Sequence, residues 1–149
     1  MNQELKQLHK RREFFNRHLS KLKGADRRND IKNLGNTCPS CGYPTLEERC
    51  AWDICAICFW EDDGQDDQDS DKIYGGPNSD YSLTAYRLEW DKNLKELKKE
   101  NSETAQYFRK IDELIKLDQE SNISEIKNLV DKVSEWFDEG RKNALQQNL

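Results

Sequence analysis

Apolar residues recur at helical spacing towards both ends of this chain and lose that spacing in the middle. Leu5, Leu8, Phe15, Leu19 and Leu22 are separated by steps of three, seven, four and three, with Arg12 at the skipped position. The spacing predicts an amphipathic helix over residues 2–23, ending before Gly24. So narrow a stripe needs something to pack on, and the same chain is the commoner partner. Residues 24–37 are polar and include Gly, Asn and Asp, which predicts a linker. Periodicity resumes beyond Gly75-Gly76-Pro77-Asn78, a strong turn signal. There Ser82 offers a hydroxyl cap to a helix carrying Leu83, Arg87, Trp90, Leu94 and Leu97 on one side. A second helix is expected after Ser102, with Phe108, Ile111, Leu114 and Ile115 inward. A third is expected from near Ser124, burying Ile126, Leu129, Val130, Val133, Trp136 and Phe137 and stopping by Gly140. Residues 141–149 read as a frayed tail, and no internal repeat is present.

The aperiodic middle carries the chemistry. Four of the five cysteines form two identical pairs, Cys38-x-x-Cys41 and Cys55-x-x-Cys58, thirteen residues apart. Thiolates in this pattern can surround one tetrahedral metal ion, as in a zinc ribbon or knuckle, whereas disulfide pairing rarely needs such spacing. The stretch from Gly42 to Ile54 is long enough for one β-hairpin to carry the second pair back to the first. Tyr43, Trp52, Phe59 and Trp60 sit beside the cysteines, where aromatic rings would exclude water from a metal; Trp60 is alternatively an exposed anchor for a partner. The expected fold class is α+β: a helix-rich chain with a small four-cysteine zinc ribbon between an N-terminal helix and about three C-terminal helices. The corresponding segments are 1–37, 38–81 and 82–149.

Composition favours metal over a large core. Hydrophobic residues make up 34% of the chain and charged residues 36%, where soluble domains run nearer half apolar. A structural metal would supply folding free energy that apolar burial cannot, on the order of 10 kcal/mol. Met1 to Lys23 is charged throughout with no apolar signal-peptide core, which predicts residence in the reducing cytoplasm, where paired cysteines serve as ligands. The longest nearly apolar run, Ile54 to Trp60, is far too short to span a bilayer.

The net charge of -5 conceals an asymmetry. Residues 1–32 hold ten Lys or Arg against four acids, while residues 61–71 hold seven acids and no base. The basic segment (Lys10, Arg11, Arg12, Arg17, Lys21, Lys23, Arg27, Arg28) is a possible phosphate-contacting surface, a solvated helix face, or an electrostatic partner of the chain's own acidic loop. The acidic loop is a poor calcium site. Asp67, Asp69 and Asp71 have the alternate spacing that opens an EF-hand loop, but Lys72 replaces its glycine and Asn78 its terminal glutamate.

The runs Cys38-Pro-Ser-Cys-Gly-Tyr-Pro-Thr-Leu, Ile54-Cys-Ala-Ile-Cys-Phe-Trp-Glu-Asp-Asp-Gly-Gln-Asp-Asp, Gly75-Gly-Pro-Asn and Ser82-Leu-Thr resemble the cysteine-rich CPCC domain family of bacteria over roughly residues 38–90. The resemblance implies a small metal-binding module and brings no established activity. Ser40 stands where the family's name-giving third cysteine sits, and Ala56 replaces the usual proline of the second pair. Cys38, Cys41, Cys55 and Cys58 remain as the matching ligand set, and Cys50, outside the pattern, reads as a free thiol.

A closed four-cysteine shell is the structural rather than the catalytic arrangement. The two histidines, His9 and His18, lie on the charged N-terminal helix, where solvent-facing side chains are expected, and no βαβ pattern suggests a dithiol redox enzyme. The sequence therefore predicts a non-catalytic zinc-binding module that docks a basic protein surface through Trp60, Glu61, Asp62, Asp63, Asp66 and Asp67, more specifically a neutralising or immunity partner of a bacterial toxin. The competing expectation is a nucleic-acid-binding or transcription-associated ribbon using the basic helix. A four-thiolate site suits iron as well as zinc.

Overall fold

The computed structural model describes residues 5–25 and 35–147, and within its helices the side chains of 19–25, 141 and 143–147 lie outside that description. Leu19 and Leu22 of the expected stripe, Lys21, Lys23, Arg27 and Arg28 of the basic segment, and part of the expected linker therefore fall outside it. The chain divides into two units, Met1–Glu96 and Leu97–Leu149. The helix that follows Ser82 is bonded to the cysteine region.

In the first unit, helix α1 (Lys6–Ala25) runs through Gly24. Leu5, Leu8, Phe14 and Phe15 are buried along it, and each such side chain contributes about 1.5–3 kcal/mol of burial. The same face also buries Arg11 and His18. The expectation of two solvent-facing histidines thus fails at His18, whose ring lies 4.5 Å from that of Phe14. Strands β1 (Asn36–Thr37) and β2 (Pro44–Leu46) pair antiparallel with a register irregularity between Asn36 and Thr37. Thr37 donates to Asn16 Oδ1 at 2.9 Å, tying β1 to α1. A separate antiparallel bridge joins Ile54 to Glu61. The single hairpin expected between the cysteine pairs is instead two small ones, each carrying one pair at its tip. Such short strands have no alternation for a sequence pattern to reveal.

Gly75 and Gly76 adopt positive φ and lead into a short turn at Gly76–Asn78. Helix α2 (Leu83–Leu97) follows, with Ser82 Oγ accepting from the Ala85 N–H. Its buried face is Leu83, Arg87, Asp91 and Leu94.

The second unit is a helix pair. Helix α3 (Glu103–Leu117) is capped by Ser102 and closes in left-handed geometry at Asp118. Helix α4 (Ile123–Gln147) faces it. Phe108, Ile111, Leu114, Ile126, Val130 and Val133 are buried, whereas Trp136, expected inward, is half exposed. Nor does α4 stop at Gly140, which keeps helical geometry, so the described part of the expected tail is helical. No helix among the described residues is long and apolar enough to cross a membrane.

Candidate metal centre

Each cysteine pair is built on the same backbone device. The N–H of Gly42 donates to the Cys38 carbonyl at 2.9 Å, and the N–H of Phe59 donates to the Cys55 carbonyl at 3.0 Å. These bonds fold each Cys-x-x-Cys into a tight knuckle that turns both sulfurs to one side. The residue closing each turn is left-handed, with φ of 84° at Gly42 and 67° at Phe59. Glycine is required at the first: a Cβ on Gly42 would come within 3.0 Å of Leu8 Cδ1 and 3.2 Å of Arg11 Cβ. At the second, a bulky aromatic side chain bears the strain.

The two knuckles bring Cys38, Cys41, Cys55 and Cys58 together, all buried, with every sulfur within 4.8 Å of every other. The closest pairs are Cys38 with Cys58 at 3.7 Å and Cys41 with Cys55 at 3.6 Å. A tetrahedron with metal–sulfur bonds of about 2.3 Å has edges of about 3.8 Å, so the donor set fits a four-coordinate ion. Four cysteines are thus positioned to bind a metal. Burial and contacts with the other sulfurs push the Cys41 and Cys58 thiols well up. Burial acts in the same direction at Cys55 but is outweighed by bonds from Cys38, Cys41 and Cys58, which hold it well below the ordinary range. Thr45 donates to the Cys55 sulfur at 2.9 Å, and the N–H groups of Ile57 and Cys58 approach it at 3.4 Å. Donors of this kind stabilise a ligating thiolate. Cys50 is exposed and outside the cluster.

Helical side chains hold the knuckles from behind. Arg11 Nε of α1 donates to the Cys41 carbonyl at 2.9 Å, with its guanidinium 5.0 Å from the Tyr43 ring centroid. Arg87 Nε of α2 donates to the Pro39 carbonyl at 2.8 Å. Tyr86 donates its hydroxyl to the Cys58 carbonyl at 2.6 Å; burial, and then the charges of the four cysteines, push its pKa far up. Sequence reasoning missed Arg11, Tyr86 and Arg87 as supports of the site. Arg87 alone left a signal, as a charged residue on the apolar side of α2.

The acidic loop is engaged within the chain, one of the alternatives open at the sequence. Arg12 contacts Asp66 at 2.9 Å and Asp67 at 3.1 Å; Arg87 contacts Asp67 at 2.8 Å; Arg49 contacts Asp62 at 2.8 Å and Asp66 at 3.2 Å. Asp69 accepts from the Asp66 N–H and from the Tyr74 hydroxyl and Asp71 from the Thr84 hydroxyl, so the aspartates with EF-hand spacing are spent on a cap, ion pairs and hydrogen bonds within the chain. Two expected surface residues need correction. Asp62 is fully buried, accepting from Arg49 and from the Cys50 N–H at 2.7 Å. Trp60 is 0% exposed, its ring 5.1 Å from that of Tyr86, so it is a core residue beside the second knuckle and presents no anchor to a partner. Glu61 and Asp63 are half-buried, bonded through backbone or carboxylate to the Asn78 amide, and only Asp67 of the six is well exposed. The exposed aromatic residues here are Trp52, Phe59, Tyr74 and Tyr81.

A family model described as cysteine-rich CPCC matches residues 36–110, which extends past the recognisable motifs through α2 and into α3. No curated protein and no solved structure matches the chain.

Proposed function

Because this chain belongs to the cysteine-rich CPCC family and closes four sulfurs into one buried cluster, we propose that it is a non-catalytic zinc-binding module that presents a surface to a protein partner. The sulfur cluster carries the reading. Four thiolates complete a tetrahedral shell, leaving no coordination position for water or substrate, and a metal held that way contributes folding free energy rather than Lewis acidity. Zinc is the ion that such closed sites most often serve.

A basic partner is supported by the net charge of -5, and a protein rather than a nucleic acid by the direction of the arginines. Arg11 and Arg12, the centre of the basic helix, point into the chain's own carbonyls and carboxylates. The narrower reading, neutralisation of a bacterial toxin, draws on the chain's small size, acidic balance, expected cytoplasmic residence and lack of an apparent catalytic apparatus, by analogy at the level of fold and family.

Elemental analysis of the purified protein should find one zinc per chain. Cys38→Ser and Cys58→Ser should lose it, and Cys50→Ser should keep it. Iron in its place, or full metal in either ligand variant, would refute the assignment. Titration with a lysine-rich peptide should show salt-sensitive binding, and duplex DNA should show none; the reverse result would favour the nucleic-acid reading.

A further inference from the structure

On the flank of the second knuckle lies a groove of about 310 Å³ lined by Cys58, Phe59, Tyr81, Tyr86, Glu89, Trp90 and Asn93. Four of these are aromatic, one is a carboxylate and none is basic. Tyr81 and Tyr86 meet edge to face with centroids 5.4 Å apart, and the Tyr86 hydroxyl is anchored on the Cys58 carbonyl, so that wall is held in place. Glu89 supplies the groove's carboxylate, and its proximity pushes the Tyr81 hydroxyl's pKa up.

Phe59 gives an independent reason to regard the groove as built for binding. Its knuckle position has φ of 67°, where the equivalent residue of the first knuckle is glycine. A phenylalanine there costs on the order of 1 kcal/mol, and such strain is retained where it places a side chain for use. Its effect here is to set an aromatic ring, 39% exposed, into the groove wall.

Aromatic walls with one carboxylate and no competing cation are the chemistry that holds an alkylammonium group, through ring quadrupoles and charge. Cys58 adds to this. As a ligand it would bring the negative charge of a metal tetrathiolate beside the same groove. We propose that the groove formed by Phe59, Tyr81, Tyr86 and Trp90 beside Glu89 receives the ammonium head of a lysine side chain, plain or N-methylated, on the protein partner. This assignment rests on the basic-partner reading above and names where such a partner inserts.

The test follows the Trp90 indole N–H by NMR in the metal-loaded full chain. Short glycine-flanked peptides are added that differ only in carrying lysine, N-trimethyllysine or norleucine. The lysine and trimethyllysine peptides should shift the resonance saturably, with norleucine binding about tenfold weaker or less, because only the ammonium distinguishes them. Glu89→Gln and Tyr81→Leu should each weaken the ammonium peptides about threefold or more at unchanged metal content. Free choline should bind well below the trimethyllysine peptide. Equal binding of norleucine and lysine makes the groove an apolar cleft and overturns the proposal, and choline matching the peptide makes it a small-molecule site and does the same. If lysine peptides bind while Trp90 and both variants are indifferent, the groove assignment fails and the basic-partner reading stands. If no lysine peptide binds, both fall.

Discussion

Asp66 gathers three arginines from distant parts of the chain: Arg12 at 2.9 Å, Arg49 at 3.2 Å and Arg87 at 3.8 Å. Burial opposes its ionisation, but the Arg12 charge leads a set of interactions that hold its carboxyl below the usual range. A carboxyl depressed on folding contributes stability that is fully present above its unfolded pKa of about 4 and is lost as pH falls through the lower folded value. Asp66→Asn should therefore cost about 1–2 kcal/mol near neutrality, discounted for partial exposure. In urea melts the gap between wild type and variant should narrow below pH 4, and a gap that widens there would contradict the pairing. The contrast with the cysteines shows what a sequence reveals at this scale. Chelating spacing is local, so all four sulfur donors were legible as a set. The pairings of Asp62, Asp66 and Asp67 reach across the chain, and an acidic run reads identically whether its charges face solvent or the protein's own arginines. Trp60 is a similar case, since residue type alone cannot tell a core residue from an anchor.

Helices were the legible elements because their apolar spacing repeats over several turns and polar caps mark Ser82 and Ser102. Their ends were less so: Gly24 and Gly140 suggested stops, but neither forms a left-handed cap, and a glycine that keeps helical angles only weakens the helix. The ribbon and its tight cysteine turns are legible from the paired spacing, whereas the division of its strands into two short pairings is not, because these are fixed by the sulfurs and by clamps from the helices. Those clamps make α2 part of the metal site. Arg87 is buried, and Arg87→Met keeps much of its stem while deleting the bonds to Pro39 and Asp67. The substitution should cost about 2–3 kcal/mol in denaturant unfolding and hasten metal loss to a chelator. Unchanged release kinetics would mean that α2 only covers the ribbon.

Over the whole molecule, each unit has an apolar core, and the first alone adds a buried four-cysteine cluster to it. The second unit's core runs from Ala105 to Val133, and the first packs Phe14, Phe15, Tyr43, Trp60 and Leu83 in the unit that holds the sulfurs. Chelation should therefore abolish hydrogen-exchange protection at residues 36–62 and weaken it in α1 and α2, leaving α3 and α4 protected. Equal loss in both units would show that they unfold as one. The clamp by Arg87 and Tyr86 also sets an order of events during synthesis. All four cysteines leave the ribosome before either residue does, the gap from Cys58 to Tyr86 being 28 positions along the chain. A nascent chain thus presents all four sulfurs in an open ribbon before α2 is there to close over them.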